Sequence, residues 1–187
     1  MKRASFIVAG LFFISLASAQ FRSAGLVLGA GYTIVDIENA IDYSPLEEWD
    51  HIGAIIKAVA EYEMKPGLLL VGELGENRLY YWEYRWSDGS YSGTRWRSEW
   101  TTNLGIGIKK MINESLYLQA GPAIHFFNDG TGTVLGLVLV GGYEVPLGTQ
   151  FTLPLGLRVE PVFGSGIPIS VLVHSGLRYN FIAPVAR

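Results

Sequence analysis

The sequence predicts an all-β protein, an eight-stranded antiparallel up-and-down transmembrane β-barrel. Eight segments alternate apolar with polar residues, and this period of two is typical of strands whose two faces meet different surroundings. The connections between them alternate between tight turns and generally longer loops, as the up-and-down plan requires. Beyond the amino-terminal leader, no run of eighteen apolar residues occurs, which excludes membrane-spanning helices.

Residues 1–19 are expected to be a cleavable secretory signal peptide. Two basic residues precede an apolar run from 6 to 16, and Ala-Ser-Ala at 17–19 supplies the small residues of a cleavage site. The apolar run is too short to span a membrane. We therefore expect residues 20–187 to form a single barrel domain.

The composition argues against several classes of function. The chain has a formal net charge of −3, and removal of the basic leader makes it more acidic, so we expect no nucleic acid partner. It has no cysteine, which excludes disulfides and an acylated cysteine. No spacing of histidines and carboxylates suggests a metal site, and no cofactor is expected.

The predicted strands follow the parity of the apolar residues. In the last strand the odd positions are almost all apolar, whereas polar residues or glycine occupy most even positions. Strand six is the weakest case, because Val134, Val138 and Val140 share the supposed interior face with Glu144. The eight segments run over 24–36, 51–64, 67–86, 94–110, 115–127, 133–145, 151–163 and 168–181.

Strands three and four are longer than a membrane crossing. A tilted strand crosses in about 9 to 11 residues, so Glu76 and Arg78 should lie near the outer interface, where a lipid-facing charge costs less. We expect residues around 78–100 to project outward as a hairpin. Its aromatic residues either form an interface belt and pack on each other, or belong to an extracellular contact surface. The candidates for that surface are Trp82, Trp86, Arg95, Trp96 and Arg97.

Side chains should fill the interior of so small a barrel, and charges buried there must be paired. The tight turn at Lys65-Pro66 places Lys57 opposite or diagonal to Glu73, the most specific pair that the sequence predicts. Strands seven and eight should supply a second cluster. This polar network either plugs the lumen or lines a narrow water path, and the barrel's size favours a plug. Its predicted members are Lys57, Glu61, Glu73, Arg158, Glu160, His174 and Arg178.

The sequence predicts no catalytic site. A nucleophile and its base must lie within hydrogen-bond reach, but His174 and Ser175 are adjacent in a strand and point to opposite faces. His51 and His125 lie near outer strand ends and match no catalytic spacing. We therefore expect no enzymatic activity, with a lipid A-modifying enzyme as an alternative.

The end of the last strand carries a motif. His174, Gly176, Tyr179 and Phe181 combine a polar residue, a glycine and two aromatic residues at alternate positions. This pattern resembles the C-terminal β-signal that the outer-membrane assembly machinery reads. Together with the leader and eight strands, it makes the chain resemble the small outer-membrane barrels of Gram-negative bacteria, nearest in plan to the OmpX/Ail group. Such proteins usually end at the terminal aromatic residue, whereas here residues 182–187 follow it.

The resemblance implies a location in the cell outer membrane and contact with its lipid and lipopolysaccharide. It also implies a structural or adhesive role toward an extracellular protein or surface ligand. One alternative is a small channel for apolar or small solutes, similar to OmpW-like barrels. Another is a secreted soluble barrel of lipocalin type with inverted faces, but the aromatic strand ends and the β-signal favour lipid.

Overall fold

The computed structural model of the chain describes residues 21–34, 52–87, 90–128, 132–163 and 169–181. Within these ranges, the side chains of Ile34 and of residues 80–98 are not described. The predicted signal peptide, His51 and the tail at 182–187 therefore lie outside the described residues.

Eight antiparallel strands form one closed barrel in chain order. Closure comes from pairing of the first strand with the last, from Ser23 opposite Asn180 to Ile34 opposite Ile169. A closed sheet leaves no edge strand, which is what a β-structure in lipid requires. The predicted fold class is thus confirmed. The strands are β1 (Phe21–Ile34), β2 (Ile52–Lys65), β3 (Leu68–Ser87), β4 (Ser90–Met111), β5 (Leu116–Phe127), β6 (Thr133–Leu147), β7 (Phe151–Phe163) and β8 (Ile169–Asn180).

The two ends of the barrel differ in their connections. At one end, here called the turn end, β2 is joined to β3 by two residues and β6 to β7 by three. Gly67 and Gly148 adopt positive φ values of 72° and 75° there, a conformation that glycine reaches without strain. The opposite end, here called the loop end, carries the connection between β1 and β2. Among the described residues, no helix is long and apolar enough to cross a membrane.

The two faces of the barrel are chemically opposite. Leucine and valine side chains point outward, with Leu26 60% and Val173 67% exposed. Charged side chains point inward, and Lys57 and Glu160 are 1% and 0% exposed. A water-soluble barrel needs the reverse arrangement, because its charges must reach water and its leucines must be buried. The faces therefore fit a barrel surrounded by lipid, and the lipocalin-type alternative does not fit.

A bulge near the start of β1 reverses the face of the first residue of the strand. The strand begins at Phe21 instead of residue 24, and its register with β2 shifts between Phe21 and Ser23. Ser23 points inward and is buried, whereas the ring of Phe21 packs edge-on against Phe181, with centroids 6.2 Å apart. The extra residue, Arg22, therefore turns Phe21 to the outer face, as a bulge does.

The hairpin of β3 and β4 is more regular than the sequence suggested. A loop was expected from Ser87 to Gly93, but β4 begins at Ser90, opposite Ser87. The register shifts beside Trp86, so one extra residue is absorbed as a bulge and pairing continues to the tip. The predicted start of strand four at residue 94 was therefore wrong.

The interior is not uniformly polar. Val138 and Val140, the valines that made strand six difficult to assign, are buried against Tyr117 and Ala123 of β5. A second apolar cluster joins three strands and consists of Val27, Ile55 and Leu172. Apolar packing and polar pairing therefore share the lumen.

The seam between β1 and β8 depends on a close backbone approach at Gly25. A Cβ atom at this position would collide with the Leu177 carbonyl oxygen and lie 2.6 Å from Arg178 Cα. We predict that Gly25→Ala destabilises the folded barrel by about 1–3 kcal/mol, the usual cost of overpacking. Urea titration in detergent micelles, read from the compact and heat-shifted bands on unheated and heated gels, measures the change.

Gly72→Ala is the matched control, because no atom lies within 4 Å of the Cβ position there. Its unfolding midpoint should equal that of the parent chain. Equal midpoints for both variants would contradict the tight seam.

Candidate functional site: the barrel interior

Four cations and four carboxylates are buried among the described residues, and all of them point into the lumen. Their positions follow one parity within each strand, because alternate residues of a strand face the same side. Since a buried charge is costly unless it is paired, their mutual geometry decides what the lumen can do. They are Lys57, Lys109, Arg158, Arg178, Glu61, Glu73, Glu144 and Glu160.

The charges nearest the turn end form a closed ring, here called the turn-end ring, of Glu61, Lys109, Glu144 and Arg178. Lys109 Nζ lies 2.7 Å from Glu61 Oε1 and also contacts Glu144. Arg178 contacts the same two carboxylates. The four side chains come from β2, β4, β6 and β8, so the ring ties every second strand of the barrel together.

The remaining charges form the loop-end ring, which consists of Lys57, Glu73, Arg158 and Glu160. Arg158 donates through Nη1 to Glu73 at 2.8 Å and through Nε to Glu160 at 2.7 Å. Lys57 Nζ lies 3.4 Å from Glu73 Oε2 and 4.0 Å from Glu160 Oε2. Each cation thus again lies between two carboxylates, and each carboxylate between two cations.

Neutral side chains contact the loop-end ring and add hydrogen bonds to it, although Arg158 Nη2 and Glu160 Oε1 have no hydrogen-bond partner among the described residues. Lys57 Nζ donates to Asn103 Oδ1 at 2.6 Å, and Gln119 Nε2 donates to Glu73 Oε1 at 2.7 Å. The Nε2 atom of His125 lies 2.9 Å from Glu160 Oε1. Charge-assisted contacts of this length are about twice as strong as neutral ones, so the ring is held from several strands at once.

All seven residues of the predicted polar network point into the lumen and are buried. Lys57 and Glu73 meet diagonally, as expected, because Lys57 is opposite Gly75 in the ladder. The expected second cluster is divided differently. Arg158 and Glu160 join the predicted Lys57–Glu73 pair, whereas Arg178 belongs to the turn-end ring. Parity predicts only which face of the strand a residue lies on. The tilt of the strands brings these distant positions together, and parity does not predict it.

The sequence analysis missed two members of the network, Lys109 and Glu144. Both have the parity of the inner face, and both lie close to the tight turns that end their strands. Their similar distance from the turn end was the sequence feature that could have indicated their contact. Their partner Glu61 lies in β2, which pairs with neither β4 nor β6, so the sequence could not predict the contact.

A small cavity of about 30 Å³ separates the two rings. His174 and Tyr117 lie on its wall, with the Tyr117 hydroxyl 3.3 Å from His174 Nε2. Lys109 Nζ lies 4.2 Å from the centre of the Tyr117 ring, a cation–π contact. On this measure a cavity needs about 10–15 Å³ to hold one water molecule, so this cavity has room for about two and is far smaller than a solute pathway.

The four residues of the predicted β-signal lie at the closing seam. Gly176 approaches β1 closely, because a Cβ atom there would collide with the Leu26 carbonyl oxygen. Tyr179 and Phe181 are exposed and pack edge-on at 5.2 Å. Phe151 extends this aromatic group, since its ring lies 5.5 Å from Tyr179. The two aromatic residues of the motif therefore lie at the outer, turn-end rim of the seam, whereas His174 points into the lumen.

The candidate extracellular contact residues lie on the projecting part of the β3–β4 hairpin. The backbone register places Trp82 opposite Trp96 and Glu83 opposite Arg95. The same ladder includes Trp86 and Arg97. The side chains of these residues lie outside the described set, so the contact surface stays a prediction.

The described histidines do not form an accessible catalytic site. His174 points into the lumen, whereas Ser175 has the outward parity of β8. Thr101 Oγ1 lies 3.5 Å from His125 Nδ1, and Glu160 approaches the other ring nitrogen. All three of these side chains are fully buried, so no substrate can reach them. The described part of the chain contains no group of three or more potential metal-ligating side chains.

The rings generate a stability prediction. Glu73→Gln removes the charge that pairs with both Lys57 and Arg158, and breaking a buried ion pair costs about 3–5 kcal/mol. The unfolding midpoint in urea, followed by tryptophan fluorescence of protein in lipid vesicles, should fall accordingly.

Glu63→Gln serves as the control. Glu63 pairs with Arg22 at 3.6 Å, and both side chains are partly exposed, so its loss should cost no more than about 1 kcal/mol. Equal losses in the two variants would show that the lumen ring has no special role in stability.

Comparison with known proteins identifies the fold. No protein-family model matches the sequence, and no curated protein sequence matches it. Among solved structures, the chain is similar to Neisserial surface protein A, with a TM-score of 0.55 and 13% identity over 85% of this chain and 96% of that protein.

Two other solved structures give lower scores. The attachment invasion locus protein Ail of Yersinia pestis, in complex with the heparin analogue sucrose octasulfate, gives a TM-score of 0.48 at 13% identity, covering 85% of this chain and 98% of Ail. A designed transmembrane β-barrel gives 0.41 at 14% identity, covering 85% and 94% of the two chains. At these identities the likeness concerns the fold alone. With its closed eight-stranded sheet, apolar outer face and ion-paired interior, the chain has the fold of the small outer-membrane β-barrel proteins.

Proposed function

We propose that this chain is a non-enzymatic, integral protein of the cell outer membrane whose closed barrel carries an extracellular contact surface. The observation that supports this most directly is the pair of ion-pair rings across the lumen. They make the barrel a support for the projecting hairpin, which is available for contact. Outer-membrane lipid and lipopolysaccharide would surround the apolar face.

The interior favours a plug over a channel. A conducting path needs a continuous line of water, but the two rings cross the lumen at two levels, and all eight of their charged side chains are buried. Opening a path would separate buried opposite charges, each held by two partners, at a cost of several kcal/mol. The small-channel alternative therefore has no observation in its favour among the described residues.

The shape of the hairpin supports a contact role. Described pairing of β2 with β3 ends at Arg78, and described pairing of β4 with β5 ends at Thr101. The β3–β4 ladder continues for nine residues of β3 beyond this level, to Ser87. At roughly 3.3 Å per residue, the hairpin extends about 30 Å farther than those pairings.

The export route follows from the two ends of the chain. We propose that the leader directs secretion and is removed, and that the outer-membrane assembly machinery recognises the last strand through His174, Gly176, Tyr179 and Phe181. The exposed aromatic pair at the rim of the seam supports this part of the proposal.

The plugged interior predicts that the barrel does not conduct ions. Purified, refolded protein inserted into planar lipid bilayers should give no steady conductance above that of the bare bilayer, because no continuous water path crosses the rings. A large porin in the same bilayers is the positive control. Reproducible ohmic steps from the refolded chain would contradict the plug and favour a channel.

If the hairpin carries the contact surface, its removal should abolish adherence without preventing the barrel from folding. Replacing residues 80–98 with a two-residue Asn-Gly turn should leave a heat-modifiable, membrane-inserted barrel but abolish adherence of displaying bacterial cells to plates coated with extracellular-matrix proteins. The paired change Arg95→Ser with Arg97→Ser should reduce adherence while keeping the hairpin.

Arg22→Ser, at the turn end of the barrel, is the control for the loss of a surface arginine. It should adhere like the parent chain. Adherence unchanged by the hairpin deletion, in cells that carry folded barrel at parent levels, would contradict the proposed surface.

A further inference from the structure

The cavity between the two rings has an unbalanced lining. Four cationic side chains and two carboxylates contribute to its wall, whereas Glu144 and Glu160 lie outside the lining. The lumen as a whole is balanced in charge among the described residues, but the cavity itself faces an excess of positive charge. The lining cations are Lys57, Lys109, Arg158 and Arg178.

The carboxylates of the wall already have partners on every oxygen. Glu73 Oε1 accepts from Gln119, and Oε2 accepts from Lys57 and Arg158. Glu61 Oε1 accepts from Lys109 and Arg178, and its Oε2 accepts from Ser23. The strongest acceptors around the cavity are therefore occupied.

Among the side chains that line the cavity, in contrast, donors are left over, because the two buried acceptors of the described residues that lack a hydrogen-bond partner, Asn77 Oδ1 and Glu160 Oε1, lie outside the lining. Arg158 Nη2 and Arg178 Nε have no hydrogen-bond partner among the described residues, although both side chains are about 2% exposed. His174 Nδ1 also has no partner among the described residues, and it can donate in one tautomer of the ring. Guanidinium nitrogens can donate but never accept, and a buried donor without an acceptor is costly. The two arginines come from different rings and both line this cavity.

We propose that the cavity is a binding site for a small monatomic anion, chloride, held between the two rings. An anion accepts from several donors and needs to donate to none, which matches surplus donors beside occupied carboxylates. The cavity of about 30 Å³ exceeds the roughly 10–15 Å³ that a cavity needs to hold one water molecule, so it has room for a small ion.

Bound chloride would link Arg158 of the loop-end ring to Arg178 of the turn-end ring. Because the ion binds the folded barrel and has no site in the unfolded chain, it should stabilise the fold by mass action. At a chloride concentration ten times the dissociation constant, the folding equilibrium constant should rise about tenfold. This inference concerns the lumen and is independent of the contact surface on the hairpin.

The first experiment locates the ion. Crystals of the full refolded chain grown in sodium bromide should show an anomalous difference peak in the cavity lined by Arg158, Arg178 and His174. A cavity without this peak would overturn the proposal.

The second experiment measures linkage in detergent micelles. Urea unfolding is compared in sodium chloride and in sodium gluconate at the same ionic strength, and chloride should raise the midpoint in a saturable way. Equal midpoints in the two salts would also overturn the proposal, since the cavity would then hold water only.

Cavity-filling variants assign the effect to this site without removing a charge. Val59 and Val140 both line the cavity, so Val59→Leu or, should that variant fold poorly, Val140→Ile should abolish the chloride effect and the bromide peak. Val173→Leu, on the exposed outer face, is the matched control and should retain both. A chloride effect that persists in a folded cavity-filled variant would place the ion elsewhere and contradict the proposal.

Discussion

Among the described residues, eight charged side chains are buried in the lumen, and each of them contacts two charges of opposite sign. Removing charges from water costs several kcal/mol per ion, and pairing compensates only when the geometry is good. Closure of the barrel makes this constraint unavoidable, because the outward face must be apolar and the inward face receives the polar residues. In the two rings, cations and carboxylates alternate, so that each buried charge lies between two charges of opposite sign.

The rings also explain how a small interior can be closed without a uniform apolar core. The turn-end ring joins β2, β4, β6 and β8, which do not pair with one another, so it braces the barrel across its diameter. Apolar clusters around Val138 and Ile55 occupy other parts of the lumen. A rigid, filled barrel is a suitable base for a long hairpin, since hairpins of two strands are marginally stable by themselves.

Local irregularities show where reasoning from strand parity fails. Arg22 forms a bulge that turns Phe21 outward, and the bulge beside Trp86 lets β4 begin four residues earlier than expected. One inserted residue reverses every side chain beyond it, and nothing in the sequence at these positions signals the insertion. Elsewhere, the predicted segments and the described strands agree closely, because eight membrane-crossing strands repeat the same two-faced pattern.

The sequence by itself determined the number of strands, their two faces and the inward direction of Lys57, Glu73, Arg158 and Arg178. These features depend on residue spacing along one strand and on turns between neighbours. The tertiary structure decided which charges meet. Lys109 contacts Glu61 and Glu144 across strands that are not neighbours, and Arg158 leaves its expected group to pair with Glu73. Such contacts follow from strand tilt and stagger, which are properties of the closed sheet and of no single segment.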